Sequence, residues 1–352
     1  MRIFVTGANG FIGSHFMDHA AAAGHSVIGL QRANGHHPAR NGAELRNGDV
    51  RDPESFAAAL QGVECVCHFA AAFKEAGEDE AHFHRVNVEG TAKLMAAAHA
   101  HGVKRFVLCS TAGIYGSRVP GVIDESRPPQ PWNAYERSKV AAENEVRRLA
   151  ERYSMEYVIL RPVAVYGPRD PRLQKLFRST AKGRFPLFGS GNGRRHMVYV
   201  TDLAEAFLRA CVRPEAANQE MIVAGPEAVP LRDLLQTLAT LSNRRSCGPR
   251  LPLKPMLGLA AVTEDICRWL KIDPPLYRRR MDFYTNDAAF DCSRARSVLG
   301  WMPKVGLKEG LASTIRAQTT PRKLALLPGY VWLTEMFSVL GEYAQQAVLV
   351  IG

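Results

Sequence analysis

The feature that most restricts what this chain can fold into is its opening, Met1-Arg-Ile-Phe-Val-Thr-Gly-Ala-Asn-Gly-Phe-Ile-Gly13. Ile3, Phe4 and Val5 form an apolar run that reads as a strand. Phe11, Ile12, Phe16, Met17, Ala20 and Ala21 then recur with a helical period. Glycines stand between and within them at 7, 10 and 13. Gly7 permits a tight strand-to-helix turn, and Gly10 lets the backbone approach a pyrophosphate seated on the helix N-terminus. Gly13 lets the helix pack closely on the strand. The spacing is GxxGxxG rather than the more familiar GxGxxG. A bare glycine triplet is a weak signal and can be a chance glycine-rich turn. Set between a strand and a helix, it predicts a dinucleotide-binding crossover.

The rhythm that follows agrees. Strand signals recur at 25–30, 63–69, 104–110 and 156–161, with helical stretches at 53–60, 85–100 and 134–153. Such alternation predicts an α/β fold, a Rossmann-type doubly wound parallel sheet covered on both faces. Beyond about residue 167 the pattern changes. Gly167-Pro168 and Gly189-Ser-Gly-Asn-Gly193 break it, and Thr201-Asp202 reads as the N-cap of a helix over 203–211. A strand at 220–224 and a helix at 230–241 follow. We therefore expect a dinucleotide-binding domain over 1–165, its core completed from 194–225, and a smaller, mixed C-terminal substrate lobe over 166–318. A C-terminal extension over 319–352, rich in Leu, Val and aromatics, has no readable role: a helix packed on the body, a dimer contact and a membrane-surface segment all remain open.

Composition matters mainly for what it excludes. No apolar run reaches the length of a membrane span, and the start lacks the charged and apolar regions of a secretory signal. Seven cysteines, none in a CxxC, suit reduced thiols in a cytoplasmic protein and give no metal site. The net charge of +11 (45 basic, 34 acidic) is mostly spread along helices, with short groups at Arg194-Arg195 and Arg278–Arg280. No recognition helix or finger accompanies them, so nucleic acid is not expected. Short arginine groups suit a small phosphorylated or carboxylated ligand, or ordinary surface charge. A small-molecule substrate and a homodimer are the expected partners.

On the cofactor side, the second strand ends in Leu30-Gln31-Arg32. An acid at this point would bond the adenosine ribose diol. Its absence, with Arg32 placed to meet a 2′-phosphate, leans toward NADP over NAD. Asp49, beside Val50, is a candidate for the adenine amine or a helix-flanking residue. Ala70, Ala71 and Ala72 offer small side chains beside which ribose and pyrophosphate can pass.

Tyr135 and Lys139 stand four apart in a helical segment and share a face. A lysine ammonium near a phenol favours the phenolate, and it can also hold nicotinamide ribose hydroxyls. Ser110 and Thr111 follow a strand whose C-terminal end points into the cofactor crevice. A hydroxyl there can hold a substrate oxygen while Tyr135 exchanges its proton and hydride passes to or from a nicotinamide. A Tyr-x-x-x-Lys pair alone is common on helix surfaces; its weight comes from the glycine turn upstream.

Taken together, these segments resemble the extended short-chain dehydrogenase/reductase family, in its NAD-dependent epimerase/dehydratase branch. The resemblance rests on Thr6–Gly13, Gly48-Asp-Val50, His68-Phe-Ala-Ala71 and Asn87 in Val-Asn-Val-Glu-Gly-Thr. It continues through Ser110–Gly116, Tyr135–Lys139, Arg161–Pro168 and Val200-Thr-Asp-Leu-Ala204, and spans about residues 1–318. It implies Tyr135 as acid/base, Lys139 as its partner and Asn87 at the proton-relay end. With Tyr115-Gly116 as register, the catalytic Ser/Thr falls on Thr111. Backbone or side chains of Gly7, Asn9, Gly10, Phe11, Ile12, Gly13, Ser110, Pro162 and Val163 would line the cofactor. In nucleotide-sugar members arginines clamp the diphosphate, and Arg195 and Arg280 match those places. His196 stands where many members have an acid. Phe290–Trp301 resembles a closing motif shared by sugar epimerases and a 3β-hydroxysteroid dehydrogenase-like branch.

The resemblance thus implies an NAD(P)-dependent oxidoreductase, first a nucleoside-diphosphate-sugar epimerase. A dehydrogenase/ketoreductase for an apolar hydroxy or keto compound is the alternative, with Leu251–Val262 lining a greasy pocket or forming lobe core. A dehydratase fits less well, because Ala112 follows Thr111 where that chemistry uses an Asp-Glu pair. A non-catalytic NADP-sensing regulator is a reading of a different class, and the intact Thr111, Tyr135 and Lys139 set argues against it.

Overall fold

A computed structural model describes residues 1–32, 43–73, 80–116, 118–170, 176–177, 179–270 and 278–319. Its centre is a seven-stranded sheet built from β1 (Arg2–Thr6), β2 (Ser26–Gln31), β3 (Glu44–Asn47), β4 (Cys65–His68), β5 (Arg105–Cys109), β7 (Glu156–Pro162) and β11 (Gln219–Val223). The order is β11-β7-β5-β4-β1-β2-β3, and every pairing is parallel. Strand order therefore reverses between β1 and β4, which puts a crevice at their C-terminal ends. Two apolar layers cover the sheet. One includes Phe16 and Met17 of α1 (Phe11–Ala22) with Phe207, and the other includes Leu94 and Met95 with Val146 and Leu149. Both faces are covered, which is why the strands read as continuous apolar runs rather than alternating ones.

Two expectations change in detail. The stretch 53–60 is not one helix but two 3₁₀ turns, Pro53–Ser55 and Ala57–Leu60. Phe56 between them has φ −138°, and the Ser55 hydroxyl donates to the Asp52 carbonyl at 2.6 Å, a local bond that competes with helix continuation. Residues 85–100 are helical, but His84–Glu89 forms a π turn before α2 (Gly90–Ala100). The long helix α3 runs Ala134–Tyr153, capped by Asn133 Oδ1 on the Glu136 N–H at 2.9 Å.

Outside the central sheet the described residues build three small sheets. β8 (Ala164–Tyr166), β10 (Arg194–Tyr199) and β12 (Ala228–Pro230) form one. β9 (Leu187–Phe188) pairs with β13 (Arg250–Leu251), and β6 (Arg118–Ile123) with β14 (Asp287–Phe290). Helix α4 runs Val200–Val212 from a Tyr199 N-cap without a side-chain cap, so Thr201-Asp202 is not the cap. Instead Asp202 Oδ2 accepts the backbone N–H groups of Lys304 and Val305 at 3.0 and 2.9 Å, and its carbonyl accepts Trp301 Nε1–H at 2.9 Å. This carboxylate fastens the 301–305 segment to α4. Helices α5 (Leu231–Leu241), α6 (Leu253–Leu270), α7 (Arg278–Thr285), α8 (Ser293–Leu299) and α9 (Leu307–Thr319) complete the described lobe.

Candidate active site

The glycine turn is built as its spacing requires. Gly7 has φ +68°, and a Cβ there would lie 2.7 Å from the Ala70 backbone nitrogen. A Cβ at Gly13 would run into the Gly7 carbonyl, so α1 sits directly on the turn. Gly10 N–H donates to that same carbonyl at 2.8 Å. Helix α1 opens at Gly10 with no side-chain cap and no acid in its first turn. Its positive end, carried by Phe11, Ile12 and Gly13, suits an anionic pyrophosphate. The residues present therefore fit a dinucleotide.

The adenosine end lacks a carboxylate at the tip of β2. Asn9 Nδ2 donates to Gln31 Oε1, and Gln31 Nε2 donates to Asn47 Oδ1 at 3.1 Å, so an amide ladder joins the turn to β2 and β3. Arg32 follows, exposed, and 33–42 lie outside the described residues. Asp49 accepts from Arg51 on both oxygens, Nε at 3.0 Å and Nη2 at 2.7 Å. This bond holds its carboxyl below the usual range. Val50 is buried, and Gly90 lies close against it.

A directional chain of buried bonds links this end to the chemical end. Ala70 N–H donates to Thr6 Oγ1 at 3.2 Å, and Thr6 Oγ1 lies 2.6 Å from His68 Nδ1. His68 Nε2 lies 2.9 Å from Thr91 Oγ1, which donates to the Asn87 carbonyl at 2.6 Å. These partners assign a neutral His68 with its proton on Nε2. Burial, then the Lys139 charge, push its pKa down to about 3. The Asn87 side chain accepts Ala72 N–H at 2.7 Å and donates to the Ala72 carbonyl at 3.1 Å and to Ser138 Oγ at 2.8 Å. Ser138 Oγ in turn donates to the Tyr135 carbonyl at 2.7 Å. Asn87 thus joins the 70–72 segment to α3, one bond away from Tyr135. Thr6, Thr91 and Ser138 were not among the sequence candidates; the signal was small polar residues recurring beside the glycine, alanine and tyrosine motifs.

Tyr135 lies half-buried in the first turn of α3, flanked by the rings of Phe73 and Phe83, with centroids at 4.9 and 6.3 Å. One turn on, Lys139 is 3% exposed and its Nζ donates to the Cys109 carbonyl at the tip of β5, at 2.7 Å. Burial lowers the Lys139 pKa, against the raising effects of the Cys109 thiol and Glu143. Ser110 and Thr111 diverge. Ser110 Oγ turns inward and donates to Glu143 Oε1 at 2.6 Å. Thr111 Oγ1 accepts the Gly113 N–H at 3.1 Å, which leaves its hydroxyl proton able to donate. Pro162 and Val163 close the neighbouring strand end, with Val163 N–H on the Val223 carbonyl at 3.1 Å.

Of the arginines expected to meet a diphosphate, Arg195 is engaged by backbone carbonyls. The Arg195 guanidinium donates to the carbonyls of Phe283, Asn286 and Arg194 and packs over the Phe283 ring. Burial lowers its pKa to about 10. Arg280 belongs to α7, and its side chain lies outside the described residues. His196 Nε2 bonds the Gly225 carbonyl at 3.0 Å and Nδ1 accepts Phe290 N–H at 3.1 Å, so it joins β10 to β14 as a neutral ring. That structural task accounts for a histidine here.

Comparison with known proteins agrees with this geometry. Residues 3–225 match the model of the NAD dependent epimerase/dehydratase family. The chain is 32% identical over 342 residues to a UDP-glucose 4-epimerase of Mycolicibacterium smegmatis, covering 90% of this chain and 97% of that one. It is 28% identical over 331 residues to a 2-alkyl-3-oxoalkanoate reductase of Stenotrophomonas maltophilia, covering 88% and 97%. Among solved structures, a UDP-glucose 4-epimerase of Thermus thermophilus in complex with NAD superposes with a TM-score of 0.73 at 27% identity, covering 91% and 100%.

Proposed function

This chain belongs to the NAD-dependent epimerase/dehydratase family, and from that premise we propose that it epimerises a nucleoside-diphosphate sugar by reversible oxidation of a secondary alcohol. The observation that carries the chemistry is a buried Lys139 one helical turn beyond Tyr135, its Nζ held by the Cys109 carbonyl two residues before Thr111. The relative of 32% identity and near-complete coverage supports the sugar nucleotide.

Gly7, Gly10 and Gly13 would hold the pyrophosphate of a dinucleotide at the start of α1, and Pro162 and Val163 would lie beside its nicotinamide. When bound, the dinucleotide supplies reversible hydride exchange at the substrate carbon. Thr111 donates a hydrogen bond to the substrate oxygen. Tyr135 takes the proton from that oxygen and later returns it, a transfer assisted by the nearby Lys139 ammonium, which favours the phenolate. Asn87 keeps the 70–72 segment and α3 in register. Arg195 is the candidate for the diphosphate, in competition with the carbonyls it now holds; Arg280 is the second.

NAD is the family's cofactor. We propose further that Arg32, with no acid at the tip of β2, admits NADP and favours it. The small-molecule site is proposed to work in a cytoplasmic homodimer, which sedimentation equilibrium and fractionation test.

Incubation with UDP-hexoses and catalytic NAD is expected to interconvert the sugars without net accumulation of reduced cofactor. Net oxidation or reduction of an apolar hydroxy or keto compound, with no interconversion, overturns the epimerase reading. It would favour the second reading, a ketoreductase, which Phe73 and Phe83 beside Tyr135 and the 2-alkyl-3-oxoalkanoate reductase relative support.

A further inference from the structure

Three of the cysteines meet in one place in the core. Cys65 and Cys67 are alternate residues of β4, so both project from the same face of the central sheet. Cys211, in the last turn of α4, faces them: its Sγ lies 3.2 Å from Cys67 Sγ, across 144 residues of sequence. All three are buried in the apolar layer that contains α1 and α4, and all are free thiols. A single core thiol is a small apolar residue and carries no message. Two sulfurs in contact from different elements, with a third beside them, are a different arrangement. Only about 1 Å of further approach separates the Cys67–Cys211 pair from bonding distance. Cys65 and Cys67, by contrast, stand about 6.6 Å apart at Cα on one extended strand, near the outer limit for a bridge.

The surroundings favour thiolate chemistry. Arg105 on β5 is 8% exposed, and its Nη1 donates to the carbonyls of Ala210, Cys211 and Arg213 at 3.0, 3.1 and 2.7 Å. A fixed guanidinium thus grips the end of α4 that carries Cys211. The Cys211 and Cys67 thiols hold the Cys65 thiol below its ordinary range against burial, and the Arg105 charge adds to this. Burial pushes the Cys211 thiol up, and the Arg105 charge opposes it. Cys65 is therefore the sulfur placed to receive the Cys211 proton. Val212 and Arg213 are exposed, so opening of the last turn of α4 gives a small oxidant a route to Cys211.

We propose that Cys67 and Cys211 close a reversible disulfide when the protein meets a peroxide, a redox-controlled staple between β4 and α4. Cys211, its proton passed to Cys65, attacks one oxygen of hydrogen peroxide and the O–O bond breaks. The leaving oxygen takes the proton back from Cys65 and departs as water, and Cys211 is left as a sulfenic acid. Cys67 then attacks that sulfur and its hydroxyl leaves as a second water as the S–S bond forms. Two thiols give up two electrons and two protons, and one peroxide becomes two waters. Cys67 and His68 project to opposite faces of β4, so the bridge leaves the Thr6–His68–Thr91 bonds in place. The inference does not depend on which substrate is turned over.

The test is treatment of the full-length protein with hydrogen peroxide, then alkylation of the remaining thiols and peptide mass spectrometry. A peptide pair joined through Cys67 and Cys211 is expected, lighter by two hydrogens than the two reduced peptides and separated again by dithiothreitol. Closing so long a loop constrains the unfolded chain, so the oxidised protein should melt about 5 °C higher than the reduced one. Cys67→Ala and Cys211→Ala should each abolish the bridge and the rise. Cys65→Ala should slow the bridge but keep the same pairing. Where an alanine variant folds poorly, the peptide map of the unaltered protein decides. Thiols that all remain open to alkylation, or that end as sulfinic acids without a joined pair, overturn the proposal. So does a bridge made through Cys65, or a rise in melting temperature that survives Cys211→Ala.

Discussion

Glu143 and Arg161 form an ion pair almost entirely out of water, with side-chain exposures of 1% and 4%. Arg161 Nε and Nη2 reach the two carboxylate oxygens at 3.0 and 2.7 Å, and Nη1 reaches the Tyr115 hydroxyl at 2.9 Å. Glu143 also accepts Ser110 Oγ–H, and it lies one turn beyond Lys139 on α3. The pair therefore ties α3 to β5 and β7 where the catalytic groups emerge. It is the part of the site that sequence reasoning passed over.

Arg147 also pairs with Glu143 at 3.0 Å and Glu220 with Arg161, so removing one member leaves the rest only partly compensated, at a cost of about 3 kcal/mol, the lower end for a broken buried pair. Arg161→Met is expected to destabilise by that order in urea unfolding. Glu143→Gln has a second readout. Glu143 raises the Lys139 pKa against burial, so its loss lowers that pKa further. The basic limb of the kcat profile is expected to move to lower pH. An unmoved limb would mean that Glu143 braces the fold without acting on Lys139.

Tyr135→Phe keeps the ring against Phe73 and removes only the hydroxyl. Cofactor binding, followed by nicotinamide fluorescence, should be retained, while kcat falls roughly 10²–10⁴-fold, the range for a positioned proton-transfer group. Near-normal turnover would remove Tyr135 from the mechanism.

The glycine turn and the Tyr135–Lys139 pair were legible because each is local: a fixed spacing within a single turn or helix carries the geometry. Ser110 and Thr111 were legible only as neighbours, since their divergence depends on Glu143 of α3, 33 residues on. Arg161 follows the apolar run Val158–Leu160 in β7, and no partner for it is visible nearby in the sequence. His196 looked like a departure from pattern because the bonds that justify it, to Gly225 and Phe290, come from segments far along the chain. The β6–β14 pairing is equally long-range, joining a strand within the dinucleotide-binding half to one near the end of the lobe.

Arg32→Ala tests the cofactor proposal. Only NADP presents a phosphate to the guanidinium, so titration should show a larger loss for NADP than for NAD. The Asn9–Gln31–Asn47 ladder should persist in the variant, because Arg32 is not part of it. Equal losses would leave Arg32 as a surface residue beside the crevice.

The buried His68 gives the fold itself a pH dependence. Its pKa falls from an ordinary 6.5 to about 3 in the folded protein, because a charged ring would lose solvation between Thr6 and Thr91 and meet the Lys139 ammonium. The unfolded chain therefore binds a proton below pH 6.5 that the folded one refuses, so this group's stabilisation is present above 6.5 and drains away as the pH falls toward 3. Between pH 7 and pH 5 the loss from His68 alone should be about 2 kcal/mol, from about 1.4 kcal/mol per pH unit below the unfolded pKa. His68→Gln keeps a side chain able to donate toward Thr91 without a group that titrates there. It should be less stable at pH 7, yet lose correspondingly less on going to pH 5. Parallel curves for the two proteins would show that the ring is protonated in the fold, and that the Thr6–His68–Thr91 chain does not run in the direction its partners assign.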